Sequence, residues 1–521
     1  MLKKNRFRMH SNGKPVKPRK MTQLHGIAPS TTMGAFNNSL HNAYVSIVYR
    51  ILTLESGGKI IHIDEARPSP GHCNVLRHFG ELVSKSCKYV TPISFDEYPR
   101  LFGGGKRARY ERAALSLKVE PIDPVEDGKI KMFLKNEKHD VTAKPDAAPR
   151  AISPPSDRMI LATGCYIKPL EHEVYKAIDQ VFEGETVAKG KNYHDIGKMV
   201  NRKWNKFKRP RGRDLDVSKL DRSFTGELTK WTHSVPLSVM AQEDREFVEP
   251  LLATQYRPRV EGRTDDGYFS YEVDGTLTSG QVNTSLSGIL AVTGMLYSFK
   301  EETGLEFEVV NSGDDFSLIY EKEDGKQISE EVGPWFLRFG MVLEISAEYD
   351  TIEHLEFCQT HPVRVGDEYR MVRNQKSAFK KDSVSLKRLR TETEFAAWMD
   401  AVSKSGMATH GGIPVAQEYY TMMKRSADHI KNGSSLSVRQ KKRLRYATAR
   451  YELEDGSMKW FGSGMSEKYA PISWETRVSY YLAFGVTPTD QLLLEATYRS
   501  KLVTFGPEKD QERNTFVTLW G

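Results

Sequence analysis

Cysteine is scarce in this chain. Cys73, Cys87, Cys165 and Cys358 are the four among 521 residues, too few and too scattered for a disulfide framework, so a reducing, cytosolic setting is expected. Long hydrophobic runs are missing as well. The two longest stretches without Asp, Glu, Lys or Arg, Met21 to Tyr49 and Gly275 to Phe299, are broken by Asn, Ser, Thr, Gln and Gly, so no bilayer span and a soluble chain are expected. The opening MLKKNRFR is followed by no apolar segment, so a secretory signal is not expected. There is no fixed-period repeat and no low-complexity tract beyond a basic arm, so solenoids and propellers are set aside. Four nearby candidate ligands, His72, Cys73, His78 and Cys87, match no zinc-finger spacing.

What is present reads as globular. Hydrophobic residues make up 39% and charged residues 28% of the chain, and its length corresponds to roughly three to four domain-sized units. The formal charge is +8, and the excess is concentrated in two runs. Lys3, Lys4, Arg6, Arg8, Lys14, Lys17, Arg19 and Lys20 form an N-terminal arm without an acid, and Arg439, Lys441, Lys442, Arg443 and Arg445 form a second cluster. Such runs attract polyphosphate backbones by counterion release. A solvated tail and a solvated helix face are the alternative reading.

The patterning predicts a mixed α/β (α+β) fold. RDLDVS, YFSYEVDG, EFEVVNS, DDFSLIYE and YRMVRN read as strands, and SLSGILAVTGMLYSF reads as a buried helix. After about Lys380 the pattern turns helical, with Thr487 a helix cap and Pro488 at the first helical position.

The sharpest chemical signal is VVNSGDDFSLIY, in which Asp314 and Asp315 follow Gly313 between two apolar runs. A hairpin turn there presents carboxylates at its tip, with glycine permitting the turn. A second acidic segment, RDLDVSKLDRSF, puts Asp216 at a strand end and Asp221 five residues on. Carboxylates from two strands can hold two Mg²⁺ ions roughly 3.5–4 Å apart, the arrangement that stabilises attacking and leaving oxygens in phosphoryl transfer. Asp214 shares the face of Asp216 and either assists that site or is a structural or solvated acid, the latter being favoured.

The ordered set of Asp216 and Asp221, Ser279-Gly280 with Thr284, and Gly313-Asp314-Asp315 resembles the palm signature of viral RNA-dependent RNA polymerases. SGQVNTSL, EFCQTHPV with MVRN, and KPDAAPR followed by KPLE are similar to the replicases of tombusvirus-like positive-strand RNA viruses. The resemblance implies a right hand with a central antiparallel palm sheet, encircling fingers and a mostly helical thumb. Its expected divisions are a basic arm over 1–20, fingers and fingertips over 21–207, palm over 208–245, a fingers insertion over 246–270, palm over 271–375 and thumb over 376–521.

The resemblance also implies roles. Asp216, Asp314 and, more weakly, Asp315 would be the catalytic metal ligands for two Mg²⁺ ions, for which Mn²⁺ can substitute. Asp221 would meet the ribose 2′-hydroxyl with Thr284, in a nucleotide site that includes Ser279, Gly280 and Asn283. Lys135, Lys138, Lys144, Arg150 and Arg158 would be fingertip cations for the triphosphate. Lys106 and Arg107 in GGGKRARY would guide template, and Cys358 and Gln359 would fall at the primer grip. Relatives usually carry Asn four residues after the motif threonine, where this chain has Gly288. Implied partners are single-stranded RNA template, nascent RNA, NTPs and a membrane-anchored viral replication protein, in host cytoplasm at membrane-associated replication complexes. A non-catalytic RNA-binding scaffold and a reverse transcriptase are the rival readings.

Overall fold

The strand Pro210–Val217 alternates apolar and acidic residues at its end, so its two faces differ in chemistry. Leu215 and Val217 point into a core shared with Phe316, Leu318 and the helix Thr284–Thr303. Asp214 and Asp216 necessarily point the other way. The computed structural model of the chain describes residues 7–24, 33–56, 59–433, 438, 468–505 and 515–517. The cluster Arg439 to Arg445, together with Lys3, Lys4 and Arg6, lies outside the described residues.

The strand Pro210–Val217 sits inside a four-stranded antiparallel sheet. Asp315–Glu321 pairs on one side and Leu343–Ile345 on the other, while Phe307–Asn311 completes the edge. Register sets Asp216 opposite both Asp315 and Glu344. The helix Thr284–Thr303 is buried on nearly all sides, as its almost uninterrupted small and apolar sequence requires. On the opposite face, Ile319 packs with Trp204 and Leu355. An added Cβ at Gly212 would lie 3.2 Å from Trp204 and 3.3 Å from Leu355, so glycine lets this layer close on the sheet.

A second, five-stranded sheet combines Phe7–Ser11, Gly267–Glu272, Arg259–Thr264, Ile130–Leu134 and Ala151–Ile152. The N-terminal strand Lys20–Gln23 instead pairs with Val384–Ser385 and Thr515–Val517. The basic arm is therefore not one solvated tail: Arg8 lies in a paired strand, and Arg19 donates to the carbonyls of Leu134 and Lys135. Beyond residue 374 helices dominate, among them Gln375–Asp382, Glu392–His410, Ala416–Gly433, Trp474–Phe484 and Pro488–Ser500. Thr487 caps the last of these, accepting from the N–H of Asp490. The five expected strands and the buried helix all form. No helix among the described residues is long and apolar enough to cross a membrane.

Candidate active site

The turn between the strands Phe307–Asn311 and Asp315–Glu321 is built by its own side chains. Asn311 accepts from the N–H of Gly313 and donates to its carbonyl, and Gly313 takes φ +100°. That conformation favours glycine. It leaves Asp314 exposed at the tip, while the Asp314 carbonyl accepts from the N–H of Val217 at 2.9 Å. The two acidic segments are thus stitched together by backbone just beyond the register pair Asp216–Asp315.

A cavity of about 780 Å³ opens on this tip, with Asp216, Asp221 and Asp314 on one wall. Burial, then the charges of Asp314 and Glu344, push the Asp216 carboxyl up to about 6. Burial and Asp314 push Asp221 up to about 6, against the pull of Arg150 and Arg50. Asp221 remains open to the cavity, so water there tempers the rise that its surroundings produce. None of these three carboxylates has a side-chain hydrogen-bond partner among the described residues. Acids forced together and left unpaired favour a multivalent cation, and their hard oxygens suit Mg²⁺. Asp216 and Asp314 therefore fit the metal pair as its ligands.

Asp315 does not line this cavity. Its Oδ2 accepts the N–H of Cys358 at 3.0 Å, and burial with the charges of Asp216 and Asp314 pushes it up to about 7. Asp214 is a structural acid: it accepts from Ser317 Oγ and the Glu356 N–H, and burial pushes it up to about 7.

Cations line the same cavity. Arg150, Lys144 and Lys138 line it. Arg150 stands 3.9 Å from Glu137, and Lys138 donates to the Lys381 carbonyl. Lys135 pairs with Glu137 outside the lining. Arg158 departs from the expectation. Its three guanidinium nitrogens are committed to Asp127, Ser116 and the carbonyls of Glu120 and Pro121, so it braces the fold instead of meeting a triphosphate.

Ser279 lines the cavity, and its carbonyl accepts the N–H of Ser153. Gly280 has φ +122°, and a Cβ there would come within 3.0 Å of Pro154, so only glycine lets the two loops meet. Thr284 turns its hydroxyl to the carbonyls of Thr278 and Gln281. Asn283 is buried with His233, Gln255 and Ser287 and does not reach the cavity. This corrects its place in the nucleotide site, and the cause is the helix start: one position before Thr284 faces inward. Gln359 lines the cavity and accepts from Lys381, whereas Cys358 is turned to Asp315. Burial raises the Cys358 thiol well above its usual range. Lys106 lies over the Phe102 ring at 4.4 Å and Arg107 pairs with Glu111, both away from the cavity.

The family described as viral RNA dependent RNA polymerase matches residues 7–505. The chain belongs to this polymerase family. It is 32% identical over 495 residues to the RNA-directed RNA polymerase of Oat chlorotic stunt virus, covering 93% of this chain and 64% of that protein. It is 32% identical over 487 residues to that of Tobacco necrosis virus strain A, covering 94% and 64%. It is 31% identical over 485 residues to that of Turnip crinkle virus, covering 93% and 60%. The chain therefore spans a little under two thirds of the length of these relatives.

Within this member of the family, one cavity residue lies outside every motif named above. Arg50 lines the cavity from a π-type turn, Val48–Leu52, a conformation that recurs at functional sites. The turn is held to the acidic segment on both sides of Asp221: Lys219 donates to the Tyr49 carbonyl and Arg222 to the Thr53 carbonyl. Burial and the charge of Arg150 lower the Arg50 pKa. No hydrogen bond or ion pair holds its guanidinium among the described residues. The available signal was a lone cation inside the apolar run YVSIVYRILTL.

Proposed function

We propose that the chain carries template-directed nucleotidyl transfer from NTPs, as the polymerase portion of a positive-strand RNA virus replicase. The observation that carries this is one cavity lined by Asp216, Asp221 and Asp314 together with Arg50, Lys144 and Arg150, whose charges act on Asp216 and Asp221. The geometry suits phosphoryl transfer, which gains mostly from positioning and charge neutralisation. Two Mg²⁺ ions held by Asp216 and Asp314 would supply stabilisation of the attacking and leaving oxygens. The chain's own cations would neutralise the triphosphate while a 3′-hydroxyl displaces pyrophosphate at the α-phosphorus. Asp221, a free acceptor, would take the ribose 2′-hydroxyl. The Ser279 loop, tied to Ser153, would close against the incoming nucleotide.

In this reading residues 21–207 and 246–270 are fingers, 208–245 and 271–375 palm, and 376–521 thumb. Ties between the proposed fingertips and thumb support an encircling hand: Lys138 donates to the Lys381 carbonyl, Lys380 pairs with Asp140 at 2.9 Å, and Lys20–Gln23 pairs with Val384–Ser385. Template and nascent RNA, NTPs and a membrane-anchored viral replication protein are the proposed partners, at membrane-associated complexes in host cytoplasm. Labelled-nucleotide incorporation on single-stranded RNA, with Mg²⁺ or Mn²⁺, tests the activity. Synthesis lost in Asp314→Ala supports it, whereas equal RNA binding by both proteins with no product from either favours a non-catalytic scaffold.

A further inference from the structure

Away from the acidic cavity, three donors of different chemistry converge where the segment Gly71–Leu76 meets the first turn of the helix Gly226–Val239. The imidazole of His72, the thiol of Cys73 and the carboxylate of Glu227 each offer a ligand atom, and these atoms lie within 4.8 Å of one another. Glu227 is fixed by accepting the N–H of Gly71 at 2.9 Å and of Cys73 at 3.0 Å. The His72 side chain is 7% exposed. Its Nε2 lies 3.1 Å from the Thr225 hydroxyl, and its Nδ1 lies 3.0 Å from the Ser69 carbonyl and 3.4 Å from Glu227 Oε2. Facing two oxygen acceptors, Nδ1 must carry a proton or a cation. His78 and Cys87 are not part of the cluster: His78 pairs with Glu301, and Cys87 turns to the Lys88 carbonyl.

We propose that this cluster is a Zn²⁺ site, with His72 Nδ1, Cys73 Sγ and a Glu227 oxygen as ligands. Mixed nitrogen, sulfur and oxygen donors select a borderline divalent ion, whereas Mg²⁺ takes oxygen alone. Zinc bonds of roughly 2.0–2.3 Å set tetrahedral ligands about 3.5 Å apart, and His72 Nδ1 and Glu227 Oε2, 3.4 Å apart, already stand at that spacing. The thiol proton leaves to solvent. The imidazole proton moves to Nε2 and is donated to the Thr225 hydroxyl, the outer partner that a ligating histidine requires. A cleft of about 500 Å³ beside Cys73 and Glu227 gives an entry path and room for a water as fourth ligand. The ion is structural in this role, because Thr225 and Glu227 directly follow the segment that carries Asp216 and Asp221.

The test is a cobalt titration of the whole chain in excess Mg²⁺, so that oxygen-only sites are already filled. One equivalent of Co²⁺ should give a thiolate-to-cobalt charge-transfer band that Zn²⁺ displaces, and Zn²⁺ should raise the melting temperature. Cys73→Ser should lose both signals, and Glu227→Gln should weaken them. If Cys73→Ser does not fold, His72→Ala serves as the same comparison. Absence of the band, a band retained in Cys73→Ser, or melting unmoved by Zn²⁺ would overturn the assignment.

Discussion

The N–H of Cys358 donates to Asp315 Oδ2 at 3.0 Å, and this bond distinguishes Asp315 from its exposed neighbour Asp314, which lines the cavity. Cys358 and Gln359 both have positive φ, 51° and 58°, and Phe357 and Thr360 exchange backbone hydrogen bonds around them. They are the centre of a two-residue hairpin turn of the kind that usually takes Asn-Gly. Holding non-glycine residues there costs on the order of 1–3 kcal/mol each, which the surroundings must supply.

Asp314 and Asp315 should therefore respond differently to substitution. Asp314→Ala is expected to abolish RNA synthesis with little change in melting. Asp315→Asn keeps an acceptor for the Cys358 N–H and should leave partial synthesis. Asp315→Ala orphans that buried donor and should cost about 1–3 kcal/mol of stability. Synthesis assays paired with denaturant melts check this, and equal loss of activity in Asp314→Ala and Asp315→Asn would contradict it.

Arg50→Ala should raise the KM for NTPs by about 10–100-fold, the range of a lost hydrogen bond to a charged group, while the fold persists. Arg50→Lys should recover only part of this, because an ammonium lacks the planar fork. A steady-state KM and kcat comparison decides it. An unchanged KM would remove Arg50 from the nucleotide site.

Asp221 is the cavity acceptor proposed for the ribose 2′-hydroxyl, and Gly288 gives it no amide partner. An ideal Cβ at Gly288 would stand 3.3 Å from Leu220 and 4.0 Å from Gly313, so a side chain there would press first on Leu220. Asp221→Ala should lower the preference for GTP over dGTP by about 10–100-fold. Strong selectivity that survives this substitution would show that other groups read the sugar.

The acid cluster should also set a pH dependence of stability without metal. Asp214, Asp216, Asp221 and Asp315 have raised pKa values in the fold, up to about 6 or 7, against about 3.9 in the unfolded chain. The folded state binds more protons between these limits, so this stability is complete below about pH 4 and is lost as pH rises through about 7. His233 acts with opposite sign, buried and lowered to about 4, as does His410, lowered to about 3. The contribution is therefore read as a difference: at pH 8 without metal, Asp216→Asn should melt higher than wild type by about 1–2 kcal/mol after allowance for solvent screening. Mg²⁺ should stabilise wild type more than the variant. Coincident melts at pH 5 and pH 8 would refute this.

Much of the site was written in local sequence. Period-two alternation fixed which face of Pro210–Val217 carries Asp214 and Asp216, and Gly313 fixed a turn that leaves Asp314 at its tip, because strand geometry and left-handed φ depend on few neighbours. Roles that depend on distant partners were decided by tertiary structure. Asp315 and Asp314 are adjacent in the chain, yet only the hairpin at Cys358 turns one of them from the cavity. Arg158 and Arg150 belong to one basic segment of the sequence, yet Arg158 enters the helix Asp157–Val181 and is consumed by Asp127 and Ser116. Arg50 reaches the cavity through contacts with Lys219 and Arg222, far along the chain, and Glu227 meets His72 and Cys73 in the same way. Sequence specified the donors and acceptors; packing decided which were already satisfied and which remained free to act.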